Sequence, residues 1–72
     1  MRAPDRFPLA AVEALVPEAV RGNANFPTGA LLDELEIKRD GRIGMEGFLA
    51  DGREFDAEFT AAGELIELDI DD

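Results

Sequence analysis

The chain contains no cysteine, histidine, serine, tyrosine, tryptophan or glutamine. Without cysteine there are neither disulfides nor thiolate metal sites, and no remaining nucleophile has a base to activate it. The reactive side chains left are Lys38, Thr28, Thr60 and the carboxylates. Basic residues are scarce as well: 7 Lys and Arg stand against 17 Asp and Glu, a formal charge of -10 over 72 residues. Nucleic acids and anionic membranes attract lysine and arginine through counterion release and repel a surface of this sign, so neither is expected as a partner. No apolar run approaches the roughly 20 residues of a bilayer-crossing helix. Residues 1–6 carry the positive charge of a signal n-region, but no apolar stretch follows, so no signal peptide is expected.

At this length a single small domain over residues 1–72 is expected, burying only roughly 60% of the surface its unfolded chain exposes. Glycine punctuates the second half at a constant interval: Asp40-Gly41, Asp51-Gly52 and Ala62-Gly63 lie eleven residues apart. Turn signals at that spacing predict a meander of short strands. Between them apolar residues alternate: Leu35 and Ile37; Ile43, Met45 and Leu49; Phe55, Ala57 and Phe59; Ile66, Leu68 and Ile70. A period of two implies one buried sheet face. The opposite face reads Glu34, Glu36, Lys38, Glu46, Phe48, Glu54, Asp56, Glu58, Leu65, Glu67 and Asp69. It is solvated and acidic.

Parity constrains the turns, because directly opposed residues of an antiparallel ladder share a face. A three-residue loop Arg39-Asp40-Gly41 sets Ile37 against Ile43 and Leu35 against Met45, with Gly41 in the left-handed position of a G1 bulge. The same loop at Ala50-Asp51-Gly52 sets Gly47 near Phe55, where the missing side chain makes room for the ring, and Ile43 near Phe59. The third turn is expected to have even length, either Ala62-Gly63 or Ala61 to Glu64, setting Phe59 against Ile66, Ala57 against Leu68 and Phe55 against Ile70.

An apolar sheet face needs a cover, and the N-terminal segment supplies the candidate. Pro8 suits a first helical turn, and Leu9, Val12, Leu15 and Val16 follow at helical spacing. Pro17 ends that helix, with a possible further turn over residues 18–21 before Gly22. The run from Gly22 to Gly29 is rich in turn formers and reads as a loop with Phe26 as its core anchor. The expected fold is α+β: an N-terminal helix (about 8–16) and a loop (about 21–30) on one face of a four-stranded antiparallel β-meander, with strands at about 32–39, 42–49, 53–60 and 64–70.

The stretches Leu35-Glu36-Ile37-Lys38 to Asp40-Gly41, Met45-Glu46-Gly47-Phe48, Ala50-Asp51-Gly52-Arg53-Glu54-Phe55-Asp56-Ala57-Glu58-Phe59 and Ala62-Gly63-Glu64-Leu65-Ile66-Glu67-Leu68-Asp69 resemble a PepSY or PepSY-like domain. The resemblance covers about residues 31–70 and implies a non-catalytic, typically exported module. Such modules occur in propeptides of thermolysin-type metallopeptidases and bind or restrain peptidases.

Paired carboxylates across strands, such as Glu46 near Asp56, could serve acid and base roles only in environments that separate their pKa values, and a flat solvated sheet gives them nearly the same one. No catalytic residue is expected. The tail Leu68-Asp69-Ile70-Asp71-Asp72 offers clustered oxygens, but the spacing of an EF-hand loop is missing. No metal site and no cofactor are expected beyond weak, nonspecific cation binding. Phe48 and Leu65 break the acidic face as apolar residues among carboxylates, a pattern of binding surfaces. The candidate protein-binding residues are therefore Glu46, Phe48, Asp56, Glu58, Leu65 and Glu67. The expected partner is a protein with a basic surface, a peptidase if the resemblance holds. The alternative is a structural module that homodimerises through a free sheet edge.

Overall fold

A computed structural model describes residues 6–71. The architecture is α+β: a five-stranded antiparallel sheet with short helical segments on one face. The strands are β1 (Phe7–Pro8), β2 (Leu31–Ile37), β3 (Ile43–Phe48), β4 (Glu54–Phe59) and β5 (Leu65–Asp71), and their spatial order is their sequence order. The meander has the four expected strands. The fifth, β1, sets Phe7 against Leu32 and Pro8 against Leu31 at the outer edge of β2. Proline and a two-residue length suit such an edge position, where one side of the strand needs no ladder partner.

The continuous helix expected over residues 8–16 is not formed. Pro8 belongs to β1, and the chain then makes α1 (Leu9–Val12), a 3-10 turn (Glu13–Leu15) and, beyond Pro17, α2 (Glu18–Arg21). Val12 leaves helical geometry at φ -118° and ψ 9°, and Val16 is extended at φ -96° and ψ 131°. The second departure follows from the proline after it, whose Cδ clashes with a helical predecessor. Breaking the helix changes which residues face the sheet. Leu9, Val16 and Val20 are buried and Val12 packs partly against the core, whereas Leu15, expected in the core, is 61% exposed.

The first two hairpins have the expected loops and registers. Lys38 N–H donates to the Arg42 carbonyl and Leu49 N–H to the Arg53 carbonyl, each at 2.8 Å. Ile37 opposes Ile43, Met45 opposes Ala57, and Gly47 opposes Phe55. Gly47 also makes a contact on its other side that the alternation did not indicate. A β-carbon there would collide with the Leu31 carbonyl and stand 2.7 Å from the Leu32 α-carbon, so it makes room for the backbone of β2, which is irregular between Leu32 and Glu34.

The third turn departs from expectation. Thr60 N–H donates to the Glu64 carbonyl at 2.8 Å, leaving Ala61-Ala62-Gly63 as a third three-residue loop. An Ala62-Gly63 type I′ turn would need positive φ at both residues, and alanine resists that conformation. Positive φ falls on Gly63 alone, at 94°. Parity is restored inside the ladder: Leu65 opposes Phe59 and Glu67 opposes Glu58, so Ile66 is the extra residue of a bulge. Beyond it Leu68 opposes Ala57 and Ile70 opposes Phe55, as expected.

The core lies between the sheet and the N-terminal segment and contains Leu9, Val16, Val20, Ala30, Leu32, Ile43, Met45, Phe55, Ala57 and Phe59. The Phe26 ring, the anchor read from the loop, packs 6.5 Å from that of Phe59. Asn23 ties the loop to the far hairpin by donating from Nδ2 to the Gly63 carbonyl at 2.8 Å.

Candidate functional site

The second face of the sheet is the candidate site, and the ladder register arranges it in rungs. The central rung runs Glu34, Glu46, Asp56, Asp69 across β2 to β5, four carboxylates in directly opposed positions. One neighbouring rung reads Glu36, Gly44, Glu58, Glu67, and the other Leu31, Phe48, Glu54, Asp71. Nine of these twelve positions carry a carboxylate, and all nine but Glu58 are exposed. Opposed like charges destabilise a sheet, so this face stores repulsion that a cation would relieve.

Cations stand at the two ends of the face. At one end Lys38 Nζ donates to Glu58 Oε2 at 3.2 Å, and Arg42 donates from Nη1 to the same oxygen at 2.9 Å. Lys38, just past the end of β2, reaches Glu58 on β4 over Gly44, where β3 presents no side chain, and a shallow depression of about 190 Å³ remains there. That volume lies below the roughly 300 Å³ of ordinary small-molecule pockets. At the other end Arg6 donates from Nε to Asp33 Oδ1 at 2.8 Å and sets its guanidinium carbon 4.5 Å from the centroid of the Phe48 ring. Between the ends, Glu34, Glu46, Asp56 and Asp69 form the unbroken anionic band.

The turns repeat one device. Asp40 accepts from the Arg42 backbone N–H at 3.1 Å and from its Nε at 2.8 Å, and Asp51 makes the same two bonds with Arg53. The backbone bond is the main reason each carboxyl is held below its ordinary value, with the guanidinium adding to it. The Arg42 guanidinium is in turn held more firmly protonated, first through its bond with Asp40. In the third hairpin, Thr60 Oγ1 accepts from Glu64 N–H at 3.1 Å instead.

Four of the six sequence-derived site residues, Glu46, Asp56, Glu58 and Glu67, lie together on this face. The other two are placed differently from expectation. Phe48 is on the face but half-buried, with the Arg6 guanidinium over its ring. Leu65 opposes Phe59 and packs against the core, because the bulge at Ile66 shifts the start of β5 to the other face. Arg6 escaped the sequence reading because nothing local links it to Phe48. Glu34 and Asp69 were visible as members of the face, but their place in one rung with Glu46 and Asp56 needed the register of all four strands.

Among the described residues, no group of three or more acidic side chains is arranged to hold a metal ion. Of the acidic tail, Asp69 and Asp71 are exposed on β5, and Asp72 lies outside the described residues. No described helix is long and apolar enough to cross a membrane. No family model, no curated protein and no solved structure matches the chain.

Proposed function

We propose that the protein is a non-catalytic binding module whose acidic sheet face docks a protein partner through a basic surface. The observation that carries this reading is the central rung of Glu34, Glu46, Asp56 and Asp69, exposed and without a cation among its positions. Keeping four like charges in opposed positions costs folding stability, and a surface of lysines or arginines recovers that cost on binding. A peptidase is the partner class that the PepSY resemblance implies. The central-rung carboxylates are all exposed and so share similar, solvated surroundings, which suits electrostatic docking better than acid-base chemistry.

The test is titration of the protein with basic and acidic proteins of similar size at several salt concentrations. Binding confined to the basic proteins, weakening steeply with salt and lost in Glu46→Lys/Asp56→Lys, supports the reading. Binding that ignores salt and both substitutions refutes it. The competing reading, a module that homodimerises through its edge strand, is disfavoured by β5 itself. Pairing two copies there would gather Glu67, Asp69 and Asp71 of both chains along one seam. Sedimentation across a concentration series separates the two.

A further inference from the structure

The strand β5 combines three properties. It is the outer strand of the sheet, with β4 as its only strand neighbour among the described residues, and none of its residues is buried, whereas β3 and β4 bury three each. The opposite margin is shielded along Leu31 and Leu32 by β1, and beyond them it is interrupted by the irregularity at Asp33. Past its own bulge at Ile66, the outer row of β5 amides and carbonyls runs from Glu67 to Asp71 and is the longer regular free edge among the described residues. The two sides of that edge also differ chemically. On the core side, Leu68 and Ile70 border a groove of about 390 Å³ with Phe26, Pro27 and Leu49. On the other side, Asp69 and Asp71 border a second depression with Glu46, Glu54 and Asp56, which Phe55 and Ile70 also line.

We infer that β5 accepts an extended segment of the basic partner as a sixth strand, one in which lysine or arginine alternates with apolar residues. This rests on the docking function proposed above and specifies how the partner is held. Successive side chains of a strand point to opposite faces, so an alternating segment places every cation beside Glu67, Asp69 and Asp71 and every apolar group beside Leu68, Ile70 and the groove. Backbone pairing along the edge supplies affinity that needs no particular side chain, and the two unlike sides set the alternation. A second copy of the chain lacks the required charge.

The test uses three ten-residue peptides on the full chain: one alternating Lys and Val, one with the same sequence N-methylated at alternate amides, and one with all lysines grouped at one end. Binding is followed by amide chemical shifts and hydrogen exchange. The alternating peptide is expected to bind, to shift and protect the β5 amides, and to lose about tenfold in affinity on N-methylation, the scale of one or two lost backbone bonds. Ile70→Gln, uncharged and at a position 38% exposed in the free protein, should keep the fold and weaken the alternating peptide more than the peptide with grouped lysines. Equal binding of all three peptides overturns strand addition while leaving electrostatic docking intact. Binding of none of them, together with silence toward basic proteins, overturns both. Shifts centred on β2, or dimerisation of the free chain through β5, also overturn the inference.

Discussion

Gly63 and Ala19 meet backbone to backbone, so that a β-carbon on Gly63 would collide with the Ala19 carbonyl. The contact docks the last hairpin onto α2, and the bond from Asn23 to the Gly63 carbonyl holds it from the other side. Gly52 provides the control, since its φ is 91° but a β-carbon there would meet nothing within 4 Å. Gly52→Ala should therefore cost about 1 to 2 kcal/mol, the left-handed penalty alone. Gly63→Ala should carry the same penalty plus an overpacking cost of about 1 to 3 kcal/mol. Urea unfolding of both variants checks this, and equal losses would show that the Ala19 contact yields freely.

The central rung predicts that neutralising a carboxylate stabilises the protein. Glu46 stands between Glu34 and Asp56, and Glu46→Gln should raise stability by about 0.2 to 1 kcal/mol at low salt. In 1 M salt, where the Debye length falls to about 3 Å, the gain should largely vanish. Unfolding midpoints at two salt concentrations decide it. A destabilised variant would mean that Glu46 has a stabilising partner in solution.

Lys38 and Glu58 should be coupled although they stand two strands apart. Their side chains are 31% and 17% exposed, so solvent screens the pair and a double-mutant cycle of Lys38→Met with Glu58→Gln should return about 0.2 to 1 kcal/mol. Arg42 shares the same carboxylate oxygen, so removing Lys38 should cost less than removing Glu58. A coupling of zero would show that Arg42 alone satisfies Glu58.

Acid should act on the two Asp-Gly-Arg turns in the same way. Asp40 and Asp51 are both held below the ordinary value of 3.8, foremost by the backbone N–H of Arg42 and of Arg53. A carboxyl with a lowered folded pKa contributes stability that is complete above its unfolded value and is lost as pH falls through the folded one. The contribution should therefore persist at pH 4 to 5 and disappear only below 3.8. Carboxyl-carbon shifts of the two aspartates should give midpoints under 3.8, and Asp40→Asn should remove one of them while leaving the other in place. A midpoint at or above 3.8 would mean that the turn bonds are open in solution.

Much of the sheet was legible in the residues themselves. Alternation marked the buried and solvated faces of β3 and β4, and the parity argument for a three-residue loop at Gly41 and Gly52 led to the observed registers of β2, β3 and β4. These are local properties: a glycine that tolerates positive φ and a period of two determine which residues oppose each other, whatever lies above the sheet. The acidic character of the second face followed for the same reason.

The remainder depended on contacts distant in sequence. Parity alone favoured an even third turn, but Ala62 could not take the positive φ that an Ala-Gly turn demands, and the bulge at Ile66 moved Leu65 from the binding face to the core. The helical spacing of Leu9, Val12, Leu15 and Val16 was real, yet residues 7 and 8 were recruited as a fifth strand and Pro17 held Val16 extended. Arg6 over Phe48, Gly47 against the Leu31 backbone and Gly63 against Ala19 each join segments between 15 and 45 residues apart. Composition and periodicity determined a small anionic sheet with one wet face. Which side chains gather on that face, and which edge stays open, was decided only when the whole chain packed, because steric exclusion and charge pairing act between neighbours in space.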